Sequence, residues 1–123
     1  MADKKLKSYK LGLFAESFTI IMMFFKGYIL LSHRYTSQFG EIDLIFKSVI
    51  SRTIIFAEVK ARKDASNAEV VTSSQMNRIS KSASFFIATN PKYSEFISRF
   101  DLIIFNNIIS VKHIKNAWVT NAF

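Results

Sequence analysis

Two short segments in the middle of the chain alternate between apolar side chains and side chains that include acids. A period of two is that of an extended chain, so both segments are predicted β-strands. Their acid-bearing faces carry Glu41, Asp43 and Ile45 in residues 41–47, and Ile54, Phe56, Glu58 and Lys60 in residues 54–60. Their opposite faces are wholly apolar: Ile42, Leu44 and Phe46 in the first segment, and Ile55, Ala57 and Val59 in the second.

Apolar residues three or four positions apart predict two helices. The first ends near Gly27, and its apolar stripe consists of Leu11, Phe14, Phe18, Ile21, Met22 and Phe25. The second is capped by Thr72 or Ser73, runs to about Ala88 and ends at Asn90-Pro91. Its apolar face consists of Met76, Ile79, Ala83, Phe86 and Ile87.

Three further strands complete the predicted fold. Residues 28–35 form the first strand of the chain, and residues 99–105 and 108–114 form a hairpin around an Asn106-Asn107 turn. The order of elements is then α-β-β-β-α-β-β, which predicts the α/β class with a mixed five-stranded sheet flanked by helices. A chain of 123 residues without a Pro-rich or Gly/Ser-rich linker predicts one domain, residues 1–123.

The composition narrows the classes of partner. Seventeen Lys and Arg against nine Asp and Glu give a net charge of +8, which favours nucleic acid first and an anionic membrane surface second. The absence of cysteine excludes disulfides and thiolate metal sites and agrees with a cytoplasmic location. The apolar run in residues 18–25 is shorter than the roughly 20 residues that a transmembrane helix needs, so no membrane partner is predicted.

The two acidic strands suggest a metal-dependent chemistry. The short linker between them predicts an antiparallel hairpin, and pairing brings Asp43 close to Glu58. Glu58 and Lys60 point the same way with Cβ atoms roughly 6–7 Å apart, which suits a cation above one and a phosphate above the other. Mg²⁺ takes one or two carboxylates together with water and phosphate oxygens. The alternative is an amphipathic hairpin that exposes its charges to solvent.

Glu16 is an acid within an otherwise apolar helical segment. Buried acids usually have a partner or a metal, so Glu16 is a candidate third acid for the site. The alternatives are a Glu in the first turn that complements the helix dipole, and a pair with Lys10.

Several motifs in a fixed order carry a family resemblance. They are Glu16, the segments 40–45 and 56–60, Arg99-Phe100-Asp101 and the segment 113–117. With these motifs the chain resembles the YraN-like uncharacterised protein family from about Gly12 to Trp118. That family is similar to Holliday-junction resolvases and to the wider restriction-endonuclease-like nuclease superfamily, which implies a restriction-endonuclease-like core.

The resemblance also implies roles for particular residues. Asp43 and Glu58 would be metal ligands with Glu16 as an additional acid, and Lys60 would be the catalytic lysine beside Asp43 and Glu58. The metal would be Mg²⁺, with Mn²⁺ as the alternative, and the substrate branched or duplex DNA bound by a homodimer. The predicted nucleic-acid contacts are Arg62 and Lys63 in the basic cluster after the second acidic strand, and Gln75 and Arg78 on the second helix.

Three functions follow as hypotheses. The first is a Mg²⁺-dependent endonuclease that hydrolyses DNA phosphodiester bonds, similar to a Holliday-junction resolvase. The second is a non-catalytic nucleic-acid-binding module with the same fold, and the third is an interaction protein whose exposed apolar helix docks on a partner or a membrane. Arg99 and Asp101 are expected to form a buried pair that braces the last strands, with a second functional acid at Asp101 as the alternative.

Overall fold

A computed structural model describes residues 2–61, 71–107 and 110–118, with side chains described from Lys10 onward. The elements are α1 (Ala2–Phe25), β1 (Tyr28–Ser37), β2 (Gly40–Ser48), β3 (Thr53–Ala61), α2 (Ser73–Thr89), a 3₁₀ turn (Pro91–Tyr93), β4 (Ile97–Asn107) and β5 (Ser110–Trp118). This order confirms the predicted α-β-β-β-α-β-β arrangement.

The five strands form one mixed sheet in the order β1-β2-β3-β4-β5. The β1–β2, β2–β3 and β4–β5 pairs are antiparallel, and the β3–β4 pair is parallel. A parallel pair needs a crossover connection, and α2 lies within the connection between β3 and β4. The predicted α/β class and mixed five-stranded sheet are therefore confirmed, in agreement with a restriction-endonuclease-like core.

Helices cover both faces of the sheet, which gives two hydrophobic clusters. The α1-side cluster contains Ala15, Met23, Leu44, Phe46, Ile55, Ala57, Ile103 and Phe105. The α2-side cluster contains Ile42, Ile45, Ile54, Phe56, Val71, Ile79, Ala83, Phe86, Tyr93, Phe100, Leu102, Ile104 and Trp118. The predicted alternation of β3 is confirmed, because Ile54 and Phe56 lie on the α2 side and Ile55 and Ala57 on the α1 side.

The alternation predicted for β2 is wrong at one residue. Ile42 packs in the α2-side cluster with Ile45, whereas the pattern placed it with Leu44 on the opposite face. Pairing between β2 and β3 runs only from Leu44 to Lys47, so β2 leaves the regular ladder at Asp43.

Some boundaries differ from the prediction. Asn107 pairs with Ser110, so Asn106 and Asn107 belong to β4 and the predicted Asn106-Asn107 turn is wrong. β5 continues to Trp118. Residues 108–109 and the predicted loop at 64–69 lie outside the described residues.

Helix α1 is apolar on its outer side as well as on the side that faces the sheet. Phe24 and Phe25 are 63% and 83% exposed, and Ile21 is also exposed. A helix that is apolar all round is normally buried on all sides, so this face is a candidate contact surface. Among the described residues, no helix combines the length and the apolar character that crossing a bilayer requires.

Candidate functional site

Asp43 occupies the point where the β2–β3 ladder stops. The last ladder pair on this side is Leu44 with Ala57. One residue further, the Asp43 carboxylate accepts a hydrogen bond from the backbone N–H of Val59 at 2.9 Å. A side-chain oxygen thus takes the place of a ladder carbonyl, and it holds the carboxyl group of Asp43 beside β3.

The carboxyl groups of Asp43 and Glu58 are close enough to influence each other directly. Glu58 is only 8% exposed. Burial raises the pKa of Glu58 to about 9, and the hydrogen bond and negative charge of Asp43 and the charge of Glu41 act in the same direction, whereas Lys60 opposes them. The Glu58 carboxyl group therefore keeps its proton to a higher pH than an exposed glutamate does.

This acid pair lies in an open cleft of about 270 Å³ between the sheet and α2. The cleft is lined by Glu41, Asp43, Glu58, Lys60, Gln75, Arg78 and Ile79. The structure therefore brings together the three residues predicted to carry the chemistry and two of the four predicted nucleic-acid contacts. Glu41 also lines the cleft but was not among the predicted site residues, although the strand pattern placed it on the same face as Asp43.

Helix α2 supplies the basic and amide side chains of the cleft. Thr72 caps the helix as predicted, because its hydroxyl accepts from the Gln75 N–H and Gln75 Oε1 accepts from the Thr72 N–H, both at 3.1 Å. This capping box holds Gln75 at the rim, and Arg78 follows one turn later. Arg62 and Lys63, the other two predicted contacts, lie outside the described residues.

Glu16 is not brought into the cleft. It belongs to α1, which packs on the other face of the sheet, and its carboxylate accepts hydrogen bonds from His33 at 3.0 Å and from Arg34 at 3.1 Å. Its partners are thus two residues of β1 rather than Lys10. Since α1 begins at Ala2, Glu16 lies mid-helix and does not complement the dipole of a first turn. Its role as a metal ligand stays a prediction that this geometry does not support.

An unusual backbone conformation lets β1 contact Glu16 twice. Consecutive residues of a regular strand point to opposite faces of a sheet, yet His33 and Arg34 both contact the same carboxylate. Arg34 has a φ of 55°, in the left-handed region, which turns its side chain out of the alternation. No strand pattern predicts this turn, because alternation assumes an extended backbone.

The donor set of the cleft fits a hard divalent cation. Asp43 and Glu58 both present carboxyl oxygens to the cleft, and the negative charge of Asp43, which helps to raise the pKa of Glu58, favours a cation beside the pair. Mg²⁺ takes one or two carboxylates and completes its shell with water and phosphate oxygens. Within the described residues, no three or more His, Cys, Asp or Glu side chains are grouped to hold a metal, so the structure offers a two-carboxylate arrangement here.

Asp101 forms the buried brace that the sequence predicted. Its carboxylate is 0% exposed and accepts two hydrogen bonds from Arg99, each at 2.8 Å, one from His113 at 2.8 Å, and one from the Asn116 N–H at 3.1 Å. Lys26, at the end of α1, in turn lies 2.9 Å from the other ring nitrogen of His113. Since the ammonium can only donate, the network assigns the His113 ring hydrogen to Nε2, which donates to Asp101.

Comparison with known proteins agrees with these motifs. The model of the uncharacterised protein family UPF0102 matches residues 15–105. Similar chains include UPF0102 proteins of Ehrlichia ruminantium (36% identical, covering 94% of this chain and 88% of that one) and Acinetobacter baylyi (33% identical, 94% and 91%). A third, from Parvibaculum lavamentivorans, is 30% identical and covers 92% and 84%. The chain therefore belongs to the uncharacterised protein family UPF0102, the YraN-like family that its motifs resemble.

Proposed function

We propose that this protein binds nucleic acid and hydrolyses its phosphodiester bonds in the cleft that contains Asp43, Glu58 and Lys60. The observation that carries the proposal is the pair of adjacent carboxyl groups, Asp43 and Glu58, that lines an open cleft together with Lys60 and Arg78. A buried acid beside a half-buried one is costly to the fold and is typical of sites that bind an external charge. The resemblance to Holliday-junction resolvases makes branched or duplex DNA the proposed substrate.

Each residue of the cleft has a proposed task. Arg78 and Gln75 contact the phosphate backbone and hold it over the acid pair, because one supplies positive charge and the other amide hydrogen-bonding groups. Lys60 places a compact positive charge beside the scissile phosphate, where negative charge accumulates on the oxygens during hydrolysis. Asp43 is held in position by the Val59 N–H, so its free lone pairs remain aimed at the cleft.

The proposed cofactor is Mg²⁺, with Mn²⁺ as the alternative. Asp43 and Glu58 would hold it, with Glu58 in the deprotonated form. A bound Mg²⁺ would act as a Lewis acid that polarises the phosphoryl group and lowers the pKa of water. Because the pKa of Glu58 is raised, metal binding would compete with protonation of this carboxyl group, so the affinity would increase with pH. The proposed setting is the cytoplasm, in line with the absence of cysteine.

The direct test is a cleavage assay on a panel of four-way junction, flap, single-stranded and duplex DNA. We expect Mg²⁺-dependent nicking of at least one substrate, its loss in EDTA, and its loss in Lys60→Ala and Asp43→Ala. Lys92→Ala is the matched control, since Lys92 is an exposed lysine of the 3₁₀ turn and does not line the cleft.

The same assay separates the enzyme from the non-catalytic module. Salt-dependent DNA binding by the wild type without cleavage of any substrate would favour the binding module. If Lys60→Ala cleaves as well as the wild type, the proposed catalytic site is rejected, although the protein would still be a nuclease. Absence of both binding and cleavage would reject both nucleic-acid hypotheses.

The outer face of α1 favours a further proposal, that two copies of this chain associate. Phe24, Phe25 and Ile21 are exposed, and Val49 and Ile50 adjoin the end of the helix through Gly27. Each of these five residues is more than half exposed, and large exposed apolar patches mark protein–protein contact sites. Because the family resemblance implies a homodimer, a second copy of this chain is the proposed partner of the patch.

Association is tested by light scattering during size-exclusion chromatography. We expect the wild type to have twice the mass of the chain and the double variant Phe24→Glu/Phe25→Glu to be monomeric. The double variant Phe39→Glu/Phe85→Glu is the control, because it adds the same charge on the α2 side of the sheet. A wild type that stays monomeric at high concentration rejects the proposal, and α1 would then be a contact surface for a different partner or for none.

A further inference from the structure

A second groove lies further along α2 than the acidic cleft. It has a volume of about 380 Å³ and is lined by Phe39, Lys81, Ser84, Phe85 and Ala88. Residues 75, 78, 81, 85 and 88 follow one another at spacings of three and four, so they form a single stripe along the helix. Gln75 and Arg78 place an amide and a guanidinium group at the cleft. The ammonium group of Lys81 follows, and then the ring of Phe85 and the small side chain of Ala88.

The two aromatic rings of the groove form an open, partly exposed pair. Their ring centroids are 6.1 Å apart at an interplanar angle of 63°. Phe85 is 39% exposed although it is a large apolar side chain, and Phe39 comes from the β1–β2 turn. An edge-to-face pair of this kind leaves ring faces open to a third planar group.

The turn that carries Phe39 is tied to α2 by hydrogen bonds. The buried Ser82 hydroxyl donates to the Gly40 carbonyl at 3.2 Å and lies 2.8 Å from the Ser37 hydroxyl, which accepts from the Phe39 N–H at 3.1 Å. Gly40 has a φ of 143°, and a Cβ atom there would lie 3.5 Å from Arg78 Cβ. The turn therefore packs closely on the helix, and Phe39 is held next to Phe85 before any ligand binds.

The charges next to the rings favour an anion. Arg78 and Lys81 are both exposed, and within the described part of the chain neither has an ion-pair partner. Helix α2 contains no Asp or Glu. A ligand that fits the whole stripe thus has negative charge along its length and a flat apolar group at one end, which describes a nucleotide with its base unpaired.

We propose that Phe39 and Phe85 stack on an unpaired nucleobase of the nucleic acid whose backbone occupies the acidic cleft. This proposal rests on the proposed function and narrows its substrate to nucleic acid that has an unpaired base beside the cut. A paired base does not fit, since both its faces are covered by neighbouring bases in the duplex.

The helix sets the distance between the cut and this base. Arg78 and Phe85 are seven residues apart, which corresponds to about 10 Å along the helix at a rise of about 1.5 Å per residue. That length equals about three stacked steps of about 3.4 Å in one strand of DNA. The unpaired base should therefore lie within about three nucleotides of the phosphate in the cleft.

The test measures binding in EDTA, so that it does not depend on cleavage. The probes are a short fully paired duplex and the same duplex with one bulged 2-aminopurine, whose fluorescence is quenched by stacking. We expect tighter binding of the bulged probe and quenching of its fluorescence by the wild type. Phe85→Ala and Phe39→Ala should each weaken binding of the bulged probe by about 5- to 100-fold, leave duplex affinity within about twofold, and abolish the quenching.

Two further variants separate stacking from charge and from loss of fold. Phe85→Tyr should retain the preference for the bulge, because tyrosine keeps the ring. Ile97→Ala, which removes an exposed apolar side chain that lines neither the cleft nor the groove, should bind both probes like the wild type. The melting temperature of each variant shows that the fold is retained.

The outcomes distinguish this proposal from the proposed function. If the wild type binds both probes equally, or if Phe85→Ala and Phe39→Ala keep the preference and the quenching, the stacking site is rejected while nucleic-acid binding stands. If the wild type binds neither probe, the proposed function and the stacking site both fail. Loss of duplex and bulge affinity by the same factor in Phe85→Ala would also reject stacking, because stacking acts on the unpaired base alone.

Discussion

Asp43 and Asp101 have equivalent places in the sheet but opposite surroundings. Each accepts a hydrogen bond from a backbone N–H of the neighbouring strand, Asp43 from Val59 and Asp101 from Asn116, where the strand ladder is interrupted. Both carboxylates thus replace a missing ladder carbonyl. Because this part of their environment is shared, the remaining neighbours decide the difference between them.

Those neighbours have opposite charge. Around Asp101 the protein provides the Arg99 guanidinium and the ring N–H of His113, so the negative charge is compensated from within the fold. Beside Asp43 it places Glu58, and Lys60 is the one described residue whose charge lowers the pKa of Glu58. A buried carboxylate with its own cation and donors is a structural element, whereas a buried acid against a half-buried one needs a proton or an external cation. These surroundings favour a stabilising role for Asp101 and support the proposed binding role of Asp43.

The largest expected effect is the loss of the Asp101 brace. Asp101→Asn removes the charge that faces Arg99 and His113, and breaking a buried pair in this way costs about 3–5 kcal/mol of unfolding free energy. The measurement is urea unfolding at pH 7. Asp43→Asn is the matched control, expected to change the unfolding free energy by less than about 1 kcal/mol. Similar losses in both variants would contradict the comparison.

The second prediction concerns the pH dependence of the unfolding free energy, measured in EDTA. Asp101 and Glu58 should contribute slopes of opposite sign. Hydrogen bonds from His113 and Arg99 lower the pKa of Asp101 against the effect of its burial, so its stabilisation is present above the ordinary value of 3.8 and is lost as pH falls. The pKa of Glu58 is raised from 4.5 to about 9, so its contribution is full below 4.5 and is lost as pH rises towards 9.

Glu58→Gln should remove the second slope. Between its unfolded and folded pKa values, one group changes the unfolding free energy by up to about 1.4 kcal/mol per pH unit. We therefore expect the unfolding free energy of the variant to exceed that of the wild type by roughly 1–3 kcal/mol at pH 8. Near pH 4.5 the difference should vanish. Urea unfolding across pH 4–9 measures it, and parallel curves for the two proteins would show that Glu58 titrates normally.

The third prediction adds the missing cation. With Mg²⁺ at ten times its dissociation constant, we expect the wild type to gain about 1.4 kcal/mol of unfolding free energy. Asp43→Asn should gain none, because one of the two carboxylates is lost. The readout is the melting temperature with Mg²⁺ against EDTA, repeated with Mn²⁺, and Ca²⁺ or high NaCl separates site binding from screening. An equal shift in both proteins would contradict a metal at Asp43.

The smallest expected effect tests Glu16, the acid that the resemblance assigned to the metal. Its partners His33 and Arg34 are about half exposed, so Glu16→Gln should cost less than about 1 kcal/mol. It should also leave the Mg²⁺-dependent melting shift unchanged, since Glu16 lies across the sheet from the cleft. Loss of that shift in Glu16→Gln would show that Glu16 reaches the metal in a conformation other than this one.

The sequence by itself was sufficient for the order of elements and for most of the candidate site. Strand alternation is local, so it correctly placed Glu58 and Lys60 on one face of β3, and the short β2–β3 linker brought Asp43 to them. The cap at Thr72 was likewise readable, because a capping box spans only four residues. The buried Arg99–Asp101 pair followed from two charges on one face of an apolar strand.

Only the tertiary structure decided which face of the sheet each helix covers, and with it which distant side chains meet. Both faces of the central strands are apolar, so the pattern does not say that α1 carries Glu16 away from the cleft or that α2 brings Arg78 into it. The turn of Arg34 to Glu16 and the docking of Phe39 on Phe85 depend on backbone conformations and contacts between distant residues. Periodicity records the local backbone, whereas the burial and charge that surround a group depend on residues far away in sequence.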